Sequence, residues 1–123
     1  MTADEIADRL FAAIEAGDAD TVRSLYSPDV EIWHNTDDEV QGRDANLATL
    51  GWLAANIPGL RYTDVRRSET ADGFVQQHVL RATSRAGEEV GVPACLVVKI
   101  ADGVITRLDE YLDSAAVARL IAK

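Results

Sequence analysis

Three ionisable side chains are the candidates for chemistry in this chain: His34, His78 and Glu110. Each occurs on the mostly apolar side of a segment whose residues alternate with period two, as in a strand with one buried face. An unpaired charge is costly to bury, so such groups in an apolar environment are paired, neutral or functional. We therefore take these three residues as candidate catalytic groups, and Gln76, on the same side as His78, as a candidate substrate-binding residue.

A histidine and a carboxylate in one apolar cavity can form an acid–base pair. Desolvation raises the pKa of the carboxylate, whereas an ion pair favours the charged form of both partners. Such a pair could deprotonate a carbon acid or activate water, provided that the side chains of His34 and Glu110 lie within hydrogen-bond reach. The alternative is a satisfied hydrogen bond in the core, or a position facing solvent. This alternative is stronger for His78, because Gln77 and Arg81 could form the inward set of its strand.

Composition restricts the class of protein and of partner. The 123 residues suffice for a single domain, 1–123, and are too few for two ordinary ones. The net charge of −9 and the scattered basic residues argue against nucleic acid or an anionic membrane surface as a partner. A single cysteine, Cys95, rules out an intrachain disulfide and fits a cytoplasmic location. The sequence shows no membrane span, signal peptide or phosphate loop, and no metal-ligand spacing, so we expect no cofactor and no metal.

Helical signals dominate the N-terminal half. The segment Thr2–Glu5 has the form of a capping box, and Gly17 supplies a stop for the first helix. A third helix begins at Gly42. Between these helices, Val30–His34 alternates as a strand, and residues 35–39 form an acidic loop. A short second helix is expected to carry Val22, Leu25 and Tyr26.

From residue 60 onward the pattern changes to strands. Short turns make consecutive strands antiparallel, and helices concentrated toward the N-terminus indicate the α+β class. We therefore expect a curved antiparallel sheet wrapped around the N-terminal helices, and a last helix capped by Asp113 or Ser114. Pro93 is expected to mark a bulge or bend. The four predicted strands are 60–67, 74–84, 89–100 and 103–113. The inward face of the last one is expected to carry Val104, Thr106, Leu108, Glu110 and Leu112.

The order of these elements resembles the nuclear transport factor 2-like (cystatin-like) superfamily, especially its SnoaL-like, ketosteroid isomerase and limonene-epoxide hydrolase branches. The resemblance covers essentially the whole chain. It implies a cone-shaped cavity closed by helices, with an apolar floor and a few polar groups, and a homodimer formed through the outer face of the sheet. This fold hosts enzymes and non-enzymes alike. The motifs that carry the resemblance are Ala16–Asp18, Tyr26–Asp29, Gly42–Ala45, Asp102–Ile105 and Glu110–Asp113.

Matching the chain to these branches gives its candidate residues different roles. Ketosteroid isomerases have a tyrosine where this chain has Leu10 and a general-base aspartate where it has His34. Their second acid falls in the region 94–96, which contains no acid. The catalytic acid of limonene-epoxide hydrolases falls at Glu110, but their arginine–aspartate pair falls near Arg81, the only charge there. SnoaL-like cyclases use an acid or histidine base, a role that His34 with Glu110 could fill.

The leading hypothesis is a pocket protein for a small, apolar, oxygen-bearing molecule: an isomerase-, cyclase- or epoxide-hydrolase-like enzyme with a His34–Glu110 acid–base pair. In this hypothesis His78 and Gln76 polarise a carbonyl or epoxide oxygen. The alternatives are a non-catalytic ligand-binding or protein-interaction module, and a remnant of the fold with a filled pocket. Trp33 and Tyr111 could also line a subunit interface. The residues predicted to bind substrate are Leu10, Ile14, Trp33, Leu53, Gln76, Leu96 and Leu108.

Overall fold

Four helices pack against one curved, six-stranded sheet in the computed structural model, which describes residues 1–123. The α+β class expected from the sequence is confirmed. The helices are α1 (Ala3–Ala16), α2 (Ala19–Leu25), α3 (Arg43–Asn56) and α4 (Ser114–Ile121). The strands are β1 (Tyr26–His34), β2 (Glu39–Gln41), β3 (Arg61–Thr70), β4 (Gly73–Thr83), β5 (Glu89–Ala101) and β6 (Val104–Leu112).

The sheet has the order β2-β1-β6-β5-β4-β3 and is mixed. Strands β3 to β6 form the expected antiparallel series, whereas β1 pairs with β6 in parallel. A parallel neighbour is possible for β1 because α3 and the four intervening strands, β2 to β5, separate it from β6 along the chain. The predicted acidic loop is shorter than expected, since Glu39 already pairs with His34 in the hairpin of β1 and β2.

The first two helices begin where the sequence predicts. Thr2 and Glu5 form a reciprocal capping box, and Gly17 ends α1 in the left-handed conformation with φ 69°. Helix α2 ends earlier than expected, so that Tyr26 begins β1 instead of belonging to the helix. The strand can contain Pro28 because the register with β6 shifts between Tyr26 and Glu31. The ladder is irregular there and does not require the backbone N–H that proline lacks.

A bulge at Thr106 changes the alternation of β6. Ile105 pairs with Ile100 of β5 and Arg107 pairs with Lys99, so Thr106 is an extra residue on β6. An extra residue in one strand reverses which side chains face the core on its two sides.

The burial of β6 side chains follows from this bulge. Ile105 is completely buried and Leu108 is 5% exposed, although the two residues differ in parity. The prediction that Val104 and Thr106 share the inner face with Leu108 is therefore wrong. Of the bulge or bend expected at Pro93, the bulge is excluded, because the register of β4 and β5 is continuous through this residue.

The apolar core has two parts. The larger part lies between α1, α2 and the inner face of β1, β4, β5 and β6. A smaller part lies beneath α4, against β4 and β5. Leu50 and Leu53 of α3 are only half-buried, because this helix spans an open space instead of filling it. None of the helices combines the length and the apolar composition that a membrane crossing requires.

The close approach of β4 and β5 at Gly73 gives a test of the sheet register. A Cβ atom at Gly73 would overlap the carbonyl group of Val98, so we expect Gly73→Ala to lower the free energy of unfolding by about 1–3 kcal/mol or more. The matched control is Gly51→Ala in α3, where an added Cβ meets no atom within 4 Å. The control should stabilise the helix by roughly 0.5–1 kcal/mol. Urea unfolding measures both, and a Gly73→Ala variant of wild-type stability would contradict the register.

Candidate functional site

A cavity of about 340 Å³ lies between the helices and the inner face of the sheet. Its wall combines side chains of both parts of the core with the inward side of α3. The hypothesis of a filled pocket is wrong, because this volume falls within the usual range of small-molecule sites, at its lower end. Five of the predicted substrate-binding residues line the cavity: Leu10, Ile14, Leu53, Leu96 and Leu108.

His34 and Glu110 meet in the wall of this cavity. They are direct neighbours in the parallel pair of β1 and β6, so both side chains project from the same face at the same level. His34 Nε2 lies 3.1 Å from Glu110 Oε1, and the two side chains are 19% and 16% exposed. This distance is within the hydrogen-bond reach that direct acid–base cooperation requires.

The carboxylate of Glu110 controls the protonation of His34. The hydrogen bond between them raises the pKa of His34, burial acts in the opposite direction, and the charges of Glu110 and Asp37 add to the increase. In the neutral ring, a proton on Nε2 is donated to Glu110, which leaves the lone pair on Nδ1. The pair can therefore accept a proton at Nδ1 and stabilise the resulting imidazolium.

A chain of polar side chains covers the α3 side of the cavity. The Tyr26 hydroxyl donates to Asn46 Oδ1 at 2.9 Å, the Asn46 amide donates to Gln41 Oε1 at 3.2 Å, and the Gln41 amide donates to Thr49 Oγ1 at 3.0 Å. All four residues line the cavity, and none of them was predicted from the sequence. The polar wall is thus held by its own hydrogen bonds, with burial and the charge of Glu110 raising the pKa of Tyr26.

Tyr62 of β3 lines the cavity and carries a hydroxyl group. Its ring packs edge-on against Phe11 of α1, with the centroids 4.8 Å apart. Burial raises the pKa of Tyr62 well above its ordinary value, and the charge of Glu110 adds to the effect. The phenol therefore stays protonated and can donate a hydrogen bond to a ligand in the cavity. Sequence reasoning could have found Tyr62, because alternation places it on the same side of its predicted strand as the apolar Leu60.

His78 and Gln76 lie on the inner face as predicted, but neither lines the cavity. Gln76 is completely buried, its oxygen accepts from Arg67 Nε at 2.8 Å, and its amide nitrogen lies 2.9 Å from His78 Nδ1. The prediction that Gln76 binds substrate is wrong, because both ends of its amide are occupied. His78 is 4% exposed and lies behind the rings of Phe11 and Tyr62.

The prediction that Trp33 binds substrate is wrong. The alternation that turns His34 inward turns Trp33 to the outer face of the sheet. Its ring packs against Tyr111, with the centroids 5.1 Å apart, and its Nε1–H donates to Asp38 Oδ1 at 2.7 Å.

Comparison with known proteins identifies relatives along the whole chain. A SnoaL-like domain model matches residues 7–108. The uncharacterised protein Rv0034 of Mycobacterium tuberculosis is 34% identical over 119 residues, which cover 91% of this chain and 90% of that protein. Among solved structures, IdmH from Streptomyces antibioticus, a proposed polyketide cyclase, is 20% identical with a TM-score of 0.86, covering 98% of this chain and 99% of IdmH.

A second solved structure has a similar fold. It is a protein from Catenulispora acidiphila with a ketosteroid isomerase-like fold, crystallised in complex with trimethylamine. It is 17% identical, has a TM-score of 0.83, and the match covers 97% of this chain and 94% of that one. At these identities, the two structures support the fold alone.

The hydrogen bond between His34 and Glu110 predicts a pH dependence of stability. Because the pKa of His34 is raised in the folded protein, the stabilising contribution is fully present below the ordinary histidine pKa of about 6.5. It is lost as the pH rises through the raised pKa. In Glu110→Gln, we expect His34 to titrate at lower pH, and stability to lose this dependence.

Histidine ring resonances recorded by NMR across the pH range give the His34 titration, and urea unfolding gives the stability. His78 is an internal reference, because burial lowers its pKa. Identical His34 titrations in the wild type and in Glu110→Gln would contradict the hydrogen bond.

Proposed function

The chain belongs to the SnoaL-like domain family, and we propose that it is an enzyme that removes a proton from the carbon next to a carbonyl group, as a step in cyclisation or isomerisation. The SnoaL-like fold, shared with a proposed polyketide cyclase, indicates a small-molecule binding or cyclase-type function. The finer proposal is supported by one observation: His34 and Glu110 form a 3.1 Å pair in the wall of a mostly apolar cavity.

His34 is the general base in this proposal. Its Nδ1 takes the proton from the substrate carbon, while Nε2–H remains hydrogen-bonded to Glu110. The carboxylate orients the ring and stabilises the imidazolium that forms, as a carboxylate does for other catalytic histidines. Glu110 keeps its negative charge throughout, so the pair changes from a net charge of −1 to zero.

Tyr62 is the proposed donor to the enolate oxygen. The electron pair of the broken C–H bond moves onto the carbonyl oxygen, where the hydroxyl of Tyr62 stabilises the new charge. In cyclisation, the enolate carbon then bonds to a second carbonyl carbon of the same molecule, and the resulting alkoxide takes the proton from His34. In isomerisation, His34 returns the proton to a different carbon.

The charges of the cavity disfavour an anionic substrate. No lysine or arginine lines the cavity, whereas Glu110 and Asp37 both do. An anionic ligand would therefore lie beside negative charge without a cation to offset it, apart from protonated His34. A volume of about 340 Å³ suits a molecule with one or two rings.

The second candidate function is non-catalytic binding of a small molecule. It is favoured by the complex of the Catenulispora acidiphila relative with trimethylamine, since two carboxylates in the cavity of this chain would also suit an amine. In this case the His34–Glu110 pair serves recognition and no bond is broken.

Exchange of acidic C–H protons with deuterium tests the proposed base. The probe is 2-tetralone, an uncharged bicyclic ketone, and the α-proton signals are followed by NMR in D₂O. The wild type should accelerate the exchange, and His34→Ala and Glu110→Gln should each reduce the acceleration by about 10²- to 10⁴-fold, the usual range for a general base. The matched control is Asp109→Asn. Asp109 lies on the same strand as Glu110, and its carboxylate accepts a hydrogen bond from Arg107.

The control should keep wild-type exchange, and all variants should remain folded, which their melting curves check. Exchange no faster than in buffer, or unaffected by His34→Ala, would exclude the catalytic proposal. Binding of 2-tetralone without exchange would favour the second candidate function.

The outer face of the sheet is proposed as the homodimer interface that the family resemblance implies. Tyr111 and Val65 are 51% and 46% exposed, and they line a shallow depression together with Cys95. We expect Tyr111→Arg to convert the protein to monomers, measured by light scattering after gel filtration. Glu88→Arg, a charge reversal in the β4–β5 turn, is the control and should leave the mass unchanged. A monomeric wild type would contradict the interface.

A further inference from the structure

His78 has a buried ring nitrogen that no protein atom satisfies. Its Nδ1 lies 2.9 Å from the amide nitrogen of Gln76, whereas its Nε2 is buried without a hydrogen-bond partner. The ring is 4% exposed and packs against two aromatic rings that line the cavity. These are Tyr62, at a centroid distance of 4.7 Å, and Phe11, at 5.5 Å. A buried polar atom without a partner is rare in folded proteins and often marks a functional position.

The orientation of the Gln76 amide follows from its neighbour Arg67. The guanidinium of Arg67 can only donate hydrogen bonds, and its Nε lies 2.8 Å from Gln76 Oε1. The other end of the amide, which faces His78, must therefore be the NH₂ group. Arg67 is itself held by ion pairs to Asp4 and Asp8 of α1, at 2.6 and 2.9 Å.

This arrangement determines the tautomer of His78. Because the Gln76 amide donates to Nδ1, Nδ1 must be the unprotonated nitrogen, and a neutral ring carries its proton on Nε2. Burial lowers the pKa of His78, and the charge of Glu110 on β6 opposes this effect without reversing it. Nε2 is thus an N–H donor without a partner. The Gln76 amide, which bonds Nδ1 across the ring, fixes the direction of this N–H.

We propose that the Nε2–H of His78 donates a hydrogen bond to the oxygen of the bound molecule, beside the hydroxyl of Tyr62, when the rings of Tyr62 and Phe11 separate. Arg67 and Gln76 are positioning residues that keep His78 in the donor tautomer. The inference rests on the proposed function only in that the cavity takes an uncharged molecule with an oxygen atom. The competing arrangement is a permanent contact of the N–H with the ring face of Tyr62, which the edge-on packing at an interplanar angle of 66° permits.

Nitrogen-15 NMR of the histidine rings tests the tautomer and the contact together. In the free protein, His78 should show protonated Nε2 and unprotonated Nδ1 above the ordinary histidine pKa of about 6.5, because burial lowers its own pKa. Addition of 2-tetralone should shift the Nε2–H signal downfield. Tetralin, which has the same ring skeleton without the oxygen, should leave this signal in place. A proton on Nδ1, or no response to 2-tetralone, overturns the inference.

Two substitutions separate donation from packing. His78→Phe keeps a planar ring but removes the donor, and should lower the preference for 2-tetralone over tetralin by about three- to tenfold, as expected for one neutral hydrogen bond. His78→Gln places an amide N–H at the Nε2 position and should keep the preference. An unchanged preference in His78→Phe overturns the inference, and the NMR experiment on the wild type decides the matter if this variant does not fold.

Arg67→Met tests the positioning residues. Without its donor, the Gln76 amide is free to turn, and His78 should show a mixture of tautomers in the nitrogen-15 spectrum. A single unchanged tautomer would contradict the role of Arg67. None of these measurements requires turnover, so a loss of the deuterium-exchange activity and a failure of the His78 inference can be told apart.

Discussion

The parallel pairing of β1 with β6 is the constraint on which the site depends. It places His34 directly opposite Glu110, in a sheet whose other strand pairs are antiparallel. Both strands reach this register through irregularities, a shift in β1 after Tyr26 and a bulge at Thr106 in β6. A slip of one residue in either strand would turn one partner to the outer face, so the acid–base pair exists only in this register.

Polar groups on one wall of the cavity are hydrogen-bonded to one another. On the α3 side, Tyr26, Asn46 and Gln41 are hydrogen-bonded in series, so the wall is stable without a ligand. A second polar system, centred on Gln76, lies in the same row of the sheet as the acid–base pair and is separated from it by an apolar residue. The row across the sheet consists of His34, Glu110, Leu96, Gln76 and Arg67. This separation keeps the guanidinium of Arg67 away from the Glu110 carboxylate.

The sequence predicts part of the site and misses part of it for identifiable reasons. His34 and Glu110 could be found because a charged residue at an otherwise apolar position is conspicuous in a period-two pattern. Asn46 lies at helical spacing from Leu50 and Leu53 and could have been found in the same way. Tyr26 was assigned to α2, because the periodicity does not show where a helix gives way to a strand.

Periodicity by itself determined the α+β class and most element boundaries and indicated the inward position of His34 and Glu110, since these depend on local patterns of burial. The tertiary structure decided which inward residues face the cavity and which lie behind its wall. His78 and Gln76 have the same phase as residues that line the cavity, yet Phe11 and Tyr62 pack against His78, and Arg67 of β3 bonds Gln76. The pairing of His34 with Glu110 was likewise decided by strand order, because their separation in space depends on which distant strands become neighbours.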